Sequence, residues 1–286
     1  MSHTEVISGK YKYKIHSELK RRLDNVNKLN TNDWDFKILI SGNGMTRTGK
    51  STCAVQIAQY IDSTFADNWE ERMIFDGQKL IDTAYKIGKN KCLVYDEARE
   101  ALDSKKQMQT FTKNLLDFFS QCGNLNHKII IVLPDFFDLP KSVAIVSSAF
   151  LINCRITDDW KRGYFDYYNR TGKKYLYIMG KKFLDYNRRY KSFDGTFTKQ
   201  FLIDKDLYES KKSKALIELR NRENKTKDRY ENTHKKKILL AINKFKELGY
   251  NNTEIGKIFG VTRVFVYHML KEEEIKIKVR KGKLGD

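Results

Sequence analysis

The chain has 286 residues, 40% of them hydrophobic, 32% charged and only 2 of them proline, the profile of a helix-rich globular protein rather than a disordered or fibrous one. That length accommodates one sizeable α/β core and a small second module, and no apolar run approaches the roughly 18 residues that a membrane span needs. The formal net charge of +19 is uneven: residues 205–286 hold 22 basic against 12 acidic side chains, residues 161–191 hold 10 against 2, and the remainder is close to neutral. Concentrated charge of this kind points to a nucleic-acid partner, against the competing reading of a solvated, lysine-rich surface.

Residues 1–34 read as a lead-in with one amphipathic helix near Ser17–Leu29, carrying Leu19, Leu23 and Val26 on one face. The N-terminus is too polar for a secretory signal, so the expected location is the cytoplasm. Residues 35–157 alternate strands and helices: strand 36–41, helix 50–62, strand 72–75, helix 77–87, strand 91–95, helix 105–121, strand 128–133 and strand 149–156. This is the rhythm of a mainly parallel sheet, and the fold class is α/β. Cys53, Cys92, Cys122 and Cys154 are widely spaced and form no C-x-x-C pair, so they read as reduced core thiols rather than a zinc site.

The first strand runs into Gly44-Met45-Thr46-Arg47-Thr48-Gly49-Lys50-Ser51-Thr52, a G-x-x-x-x-G-K-S loop with a helix behind it. Glycines let consecutive backbone N–H groups turn toward one anion, and the helix adds its positive dipole end. The spacing predicts a nucleoside-triphosphate site lined by Gly44, Thr46, Arg47, Thr48, Gly49, Lys50, Ser51 and Thr52. Lys50 would reach the β- and γ-phosphates, and the Ser51 hydroxyl would be a ligand of Mg²⁺. The buried run Lys91–Tyr95 then ends in Asp96-Glu97, a Walker B arrangement. Strands of a parallel sheet open on one side, so Asp96 can hold the Mg²⁺ shell while Glu97 deprotonates an attacking water. The competing reading is two acids that cap the following helix.

The paired motifs resemble those of the additional-strand P-loop ATPases, a group that includes RecA-like, FtsK/HerA-like and Zot-like proteins. The resemblance covers residues 36–156. It implies a RecA-like core using ATP and Mg²⁺, with Glu97 as base. It also implies a homo-oligomer, in some cases a ring, in which a neighbour's arginine completes the site; Arg99, Arg155 and Arg162 are the candidates. The polar sensor of such proteins has no counterpart in Leu133-Pro134-Asp135.

Residues 158–203 read as a basic extension. Tyr164–Arg170 and Lys173–Met179 alternate as two strands around Thr171-Gly172, which predicts a β-hairpin offering Lys173 and Lys174 to DNA; the rival is an edge hairpin whose aromatics pack on the core. Residues 204–234, free of proline and glycine, read as a charged connector helix. Residues 235–286 read as a small all-α module with a basic tail. A first helix, Lys235–Leu248, turns Ile238, Leu239, Ile242 and Phe245 inward, and Thr253–Leu270 resembles the helix-turn-helix of many prokaryotic DNA-binding proteins. In it Gly256 permits a close crossing, Gly260 makes the turn, Thr262 caps the second helix, and Val266 and Leu270 point inward. Arg263, Phe265, Tyr267 and His268 then face DNA, against the alternative of a protein-docking bundle.

The combined expectation is a DNA-associated ATPase: a translocase, packaging or helicase-type motor of phage or mobile-element origin. Two rivals stay open, a regulator in which ATP switches DNA binding and a small-molecule kinase with an appended DNA-binding domain.

Overall fold

The computed structural model describes residues 2–96, 110–186 and 188–271. The chain divides into two compact units, residues 1–216 and 217–286. The first contains a β-hairpin and a seven-stranded sheet. The hairpin strands are β1 (His3–Ser8) and β2 (Tyr11–His16), and helix α1 (Ser17–Asn30) follows. The sheet comprises β3 (Phe36–Ser41), β4 (Met73–Ile74), β5 (Cys92–Tyr95), β6 (Lys128–Val132), β7 (Phe150–Arg155), β8 (Tyr164–Tyr168) and β9 (Phe193–Thr196). Its strand order is β4-β5-β6-β3-β7-β8-β9, parallel from β4 to β7 and antiparallel for β8 and β9. This is an α/β fold with a mostly parallel mixed sheet.

Period-two alternation gives each strand two faces, and the sheet buries both. Ile38, Ile40, Val94, Ile130, Val132 and Ile152 join one apolar cluster. Leu39, Leu93, Tyr95, Ile129, Ile131 and Leu151 join the other. Helix α2 (Lys50–Ile61) packs on the first face through Cys53, Ala54, Val55, Ile57 and Ala58. A turn, α3 (Trp69–Arg72), precedes β4, and α4 (Gly77–Lys86) and α5 (Thr110–Gln121) supply Leu80, Ala84, Leu115 and Phe119 to the second face. The four cysteines are buried and unpaired.

Two segments depart from the sequence expectation. The lead-in is not a helix alone. Val6, Ser8, Tyr13 and Ile15 alternate inward across a turn in which Gly9 takes φ +60°, and the resulting hairpin covers α2. Tyr13 donates its hydroxyl to the Gln56 carbonyl at 2.9 Å, and the Gln59 amide donates to Ser8 O at 2.8 Å.

The second departure is a correction to the predicted hairpin. Tyr164–Tyr168 is a strand, but its antiparallel partners are β7 and β9. The segment taken as its return strand is α6 (Arg170–Tyr175) followed by a wider turn, Leu176–Gly180. Asn169 caps this helix by accepting the Gly172 N–H at 2.8 Å. Lys173, Leu176, Tyr177 and Gly180, spaced i, i+3, i+4 and i+7, face inward, and that is a helical period rather than a strand period.

Helix α7 (Lys205–Glu247) is continuous through the expected connector and the expected first helix of the C-terminal module, in keeping with the absence of glycine and proline. Within the second unit its last turns accompany α8 (Asn252–Phe259) and a helix at 263–271, α9. Ile242, Ile255, Val266 and Met269 are buried together, with Ile238, Leu239, Phe245, Val261 and Leu270 packed around them. The Asn251 side chain and Glu254 form a capping box for α8, Gly260 ends it at φ +65°, and Thr262 Oγ1 accepts the Phe265 N–H at 3.2 Å to cap α9. A Cβ on Gly256 would stand 2.7 Å from the Val261 carbonyl, so only glycine permits this crossing. Among the described residues no helix is long and apolar enough to cross a membrane.

Candidate nucleotide-binding site

β3 carries Ile38, Leu39 and Ile40 with no exposure and delivers the chain to a loop where ordinary dihedrals fail. Asn43, Gly44, Arg47 and Gly49 all have positive φ (52°, 72°, 58° and 93°), so the backbone reverses its curvature repeatedly before α2 begins at Lys50. Conformations of this kind build anion nests. Two clamps set the loop's base. The N–H groups of Gly42 and Gly44 donate to the Pro134 carbonyl at 3.1 and 2.9 Å. Buried Asn153 on β7 accepts from the Ser41 hydroxyl at 2.9 Å and donates to Asn43 Oδ1 at 2.5 Å.

Residues Thr46 to Thr52 all line one cleft of about 760 Å³ at the edge of the sheet, while Gly44 holds the loop to the neighbouring strand end. Lys50 donates to the Met45 carbonyl at 2.7 Å and lies 3.4 Å from Thr48 Oγ1. Its ammonium is thereby folded over the loop, with acceptors that a phosphate oxygen can replace through a stronger, charge-assisted bond.

β6 lies between β3 and β5, yet Ser51 and Asp96 meet. The Ser51 hydroxyl donates to Asp96 Oδ2 at 2.9 Å, and Asp96 is almost fully buried. A hydroxyl and a carboxylate are hard oxygen donors, the type that Mg²⁺ takes together with phosphate and water, and both border the cleft. The residues present therefore fit a divalent cation bound with a polyphosphate: Ser51 and Asp96 would hold it, and it would neutralise the phosphate charge. Among the described residues no cluster of three or more His, Cys, Asp or Glu side chains offers another metal site. Glu97 and Arg99 lie outside the described residues.

Apart from Arg162, which was expected at a neighbour's site, the sequence reading missed the rest of the cleft's lining. Arg162, Lys199, Lys205 and Lys212 line the same cleft, making it strongly cationic and suited to a polyanion. Tyr208, on the first turn of α7, donates its hydroxyl to Asp96 Oδ2 at 2.6 Å and stands 3.0 Å from Ser51 Oγ. Burial, and secondly the charge of Asp96, raise the phenol well above the ordinary tyrosine range. Its sequence signal was faint, since 112 residues separate it from Asp96.

Other expected residues separate. Arg155 is engaged with buried Asp166 at 3.2 Å, as a structural ion pair. Lys173 is a correction: it is fully buried, and its ammonium donates to the Ser148 carbonyl at 2.5 Å and to the Ser148 hydroxyl. Burial lowers it from the ordinary 10.5 to about 7. It cannot meet a DNA backbone, whereas Lys174 is exposed. Arg263, Phe265, Tyr267 and His268 are all exposed on α9 in the second unit.

Among solved structures, the chain is similar to the N-terminal domain of zonular occludens toxin from Neisseria meningitidis, at 13% identity and a TM-score of 0.38, covering 62% of this chain and 98% of that one. It is also similar to the genome packaging NTPase B204 from Sulfolobus turreted icosahedral virus 2. In complex with ATP-gammaS the figures are 12% identity, a TM-score of 0.33 and coverage of 49% and 94%; in complex with AMPPCP they are 14%, 0.34, 49% and 94%. No protein-family profile matches the sequence, and no curated protein does. These likenesses are distant, and the chemistry of the site rests on the distances above.

Proposed function

We propose that this protein is a Mg²⁺-dependent ATPase that uses hydrolysis to do work on DNA. The observation that carries the first half is the meeting of Ser51 and Asp96 at 2.9 Å beside a loop with four positive-φ residues. In this reading the loop amides and Lys50 bind the triphosphate, Ser51 and Asp96 hold Mg²⁺, and Glu97 activates the attacking water. The insertion of β6 between the loop-bearing and acid-bearing strands supports assignment to the additional-strand ATPases.

The second half rests on charge and exposure. The +10 excess of residues 205–286 falls in the segment that carries the capped helix pair α8–α9, which exposes Arg263, Phe265, Tyr267 and His268 as a helix-turn-helix would. Arg263 is the leading base or phosphate contact, and Lys174 adds to the exposed charge of the first unit. A homo-oligomer would let a cation of one copy serve a neighbour's site, with Arg162 already lining the cleft of its own chain.

The test is ATP turnover with and without single- and double-stranded DNA, for wild type, Glu97→Gln and Lys50→Ala. Glu97→Gln is expected to hold ATP and barely cleave it, and Lys50→Ala to lose affinity as well. Normal turnover in either variant contradicts the site. Turnover indifferent to DNA, with sequence-specific footprinting, would favour the ATP-switched regulator instead.

A further inference from the structure

The first turns of α7 line the same cleft as Lys50, Ser51 and Asp96. Asp204 caps the helix by accepting the Leu207 N–H at 2.9 Å. Tyr208 then wedges its ring beside Phe75 and Phe201, with centroids 5.8 and 5.2 Å away. Its hydroxyl, Ser51 Oγ and Asp96 Oδ2 form a triangle with sides of 2.6, 2.9 and 3.0 Å. Oxygens that share an octahedral Mg²⁺ shell stand about 2.9 Å apart, so the phenol oxygen stands at the spacing of a third ligand. A neutral phenol is a poor one, because Mg²⁺ prefers water, carboxylate and phosphate oxygens. The competition is sharpest at Asp96 Oδ2, which accepts the Tyr208 hydrogen bond and is the atom a cation or its water would draw on.

We propose that Tyr208 is a plug over Ser51 and Asp96 that fills a ligand position of the metal site, so that its docking and the binding of a metal–triphosphate exclude one another. This rests on the phosphate-site reading above. Arrival of the charged ligand turns the lone pairs of Ser51 and Asp96 away from the phenol. Tyr208 leaves, and the helical turn that its ring and hydroxyl anchor loosens. The same helix continues to Glu247, so nucleotide state is written on an element that enters the second unit.

Tyr208→Phe keeps the ring and removes only the hydroxyl. Calorimetry with ATPγS in Mg²⁺ is expected to show this variant binding tighter than wild type by roughly three- to tenfold, the worth of a hydrogen bond no longer broken. In EDTA the two proteins should bind ATPγS equally. Amide hydrogen exchange in wild type should speed up at residues 206–214 with Mg²⁺–ATPγS and not with ATPγS in EDTA. Equal or weaker Mg²⁺–ATPγS binding by the variant, or slower exchange in that segment, would overturn the plug while leaving the phosphate site intact. If neither protein binds ATPγS under any condition, the phosphate site falls and takes the plug with it.

Discussion

Two basic segments of the first unit treat a lysine in opposite ways. In the loop at 42–50, Lys50 is half-buried at the edge of a wide polar cleft, held by the Met45 carbonyl through a bond that a stronger acceptor can take over. In the segment at 170–180, Lys173 is sealed, with Ser148 supplying both of its acceptors and no solvent contact. The first region holds two non-glycine residues, Asn43 and Arg47, at positive φ to keep a cation deliverable. The second uses an ordinary capped helix to fix a lysine side chain as part of the core. Formal charge alone therefore overstates the cationic surface of residues 161–191, and reach to solvent decides which lysines can recruit a polyanion.

The contrast breaks first at the lysines themselves. Lys50→Ala should lower ATP turnover by roughly 100-fold or more with little change in melting temperature. Lys173→Ala should leave nucleotide affinity intact and cost about 1–3 kcal/mol of stability, because Ser148 loses its buried partner. Calorimetry and thermal melts on both variants check this, and reversed outcomes would undo the comparison.

Glycine substitutions come next. A Cβ at position 172 would lie 2.2 Å from the Tyr190 carbonyl, so Gly172→Ala should destabilise by about 1–3 kcal/mol through overpacking. Gly49→Ala, at φ +93° and with its Cβ 2.8 Å from the Phe197 ring, should distort the loop and show mainly in lost nucleotide affinity.

A pH series sharpens the difference further. Burial, with a smaller push from Arg170, lowers Lys173 to about 7 in the folded protein. The unfolded chain keeps that proton up to the ordinary lysine range. Between about pH 7 and 10 the unfolded state therefore binds more protons, so this group makes stability rise with pH. Melting curves at pH 7 and 9 should show the rise in wild type and a smaller one in Lys173→Met. The smallest effect belongs to exposed Lys174. Lys174→Glu should shift stability by no more than about 0.5 kcal/mol while weakening DNA binding and reducing its salt slope by about one.

Much of this was readable along the chain. An apolar run, a glycine-rich turn and a helical repeat mark β3, the loop and α2, because each is fixed by neighbours in sequence. The same holds for Gly256, Gly260 and Thr262, whose roles follow from local backbone needs. The segment at 164–180 was misread because aromatics and lysines alternate there as in a strand. The helical spacing of Lys173, Leu176, Tyr177 and Gly180, behind the Asn169 cap, was present but weaker to the eye. Val6, Ser8, Tyr13 and Ile15 carried a hairpin signal that was overlooked. Asn153 was not singled out, because its job appears only once β7 lies beside β3. Tyr208 could not have been placed at all, since nothing local links it to Asp96.

The central claim is that one Mg²⁺–triphosphate joins the loop to Asp96. Its most direct test is ATPγS affinity measured with Mg²⁺ and with EDTA for wild type, Ser51→Ala and Asp96→Asn. The account predicts that Mg²⁺ strengthens binding to wild type and that either substitution removes most of this gain while metal-free binding persists. An undiminished Mg²⁺ effect in both variants would contradict it.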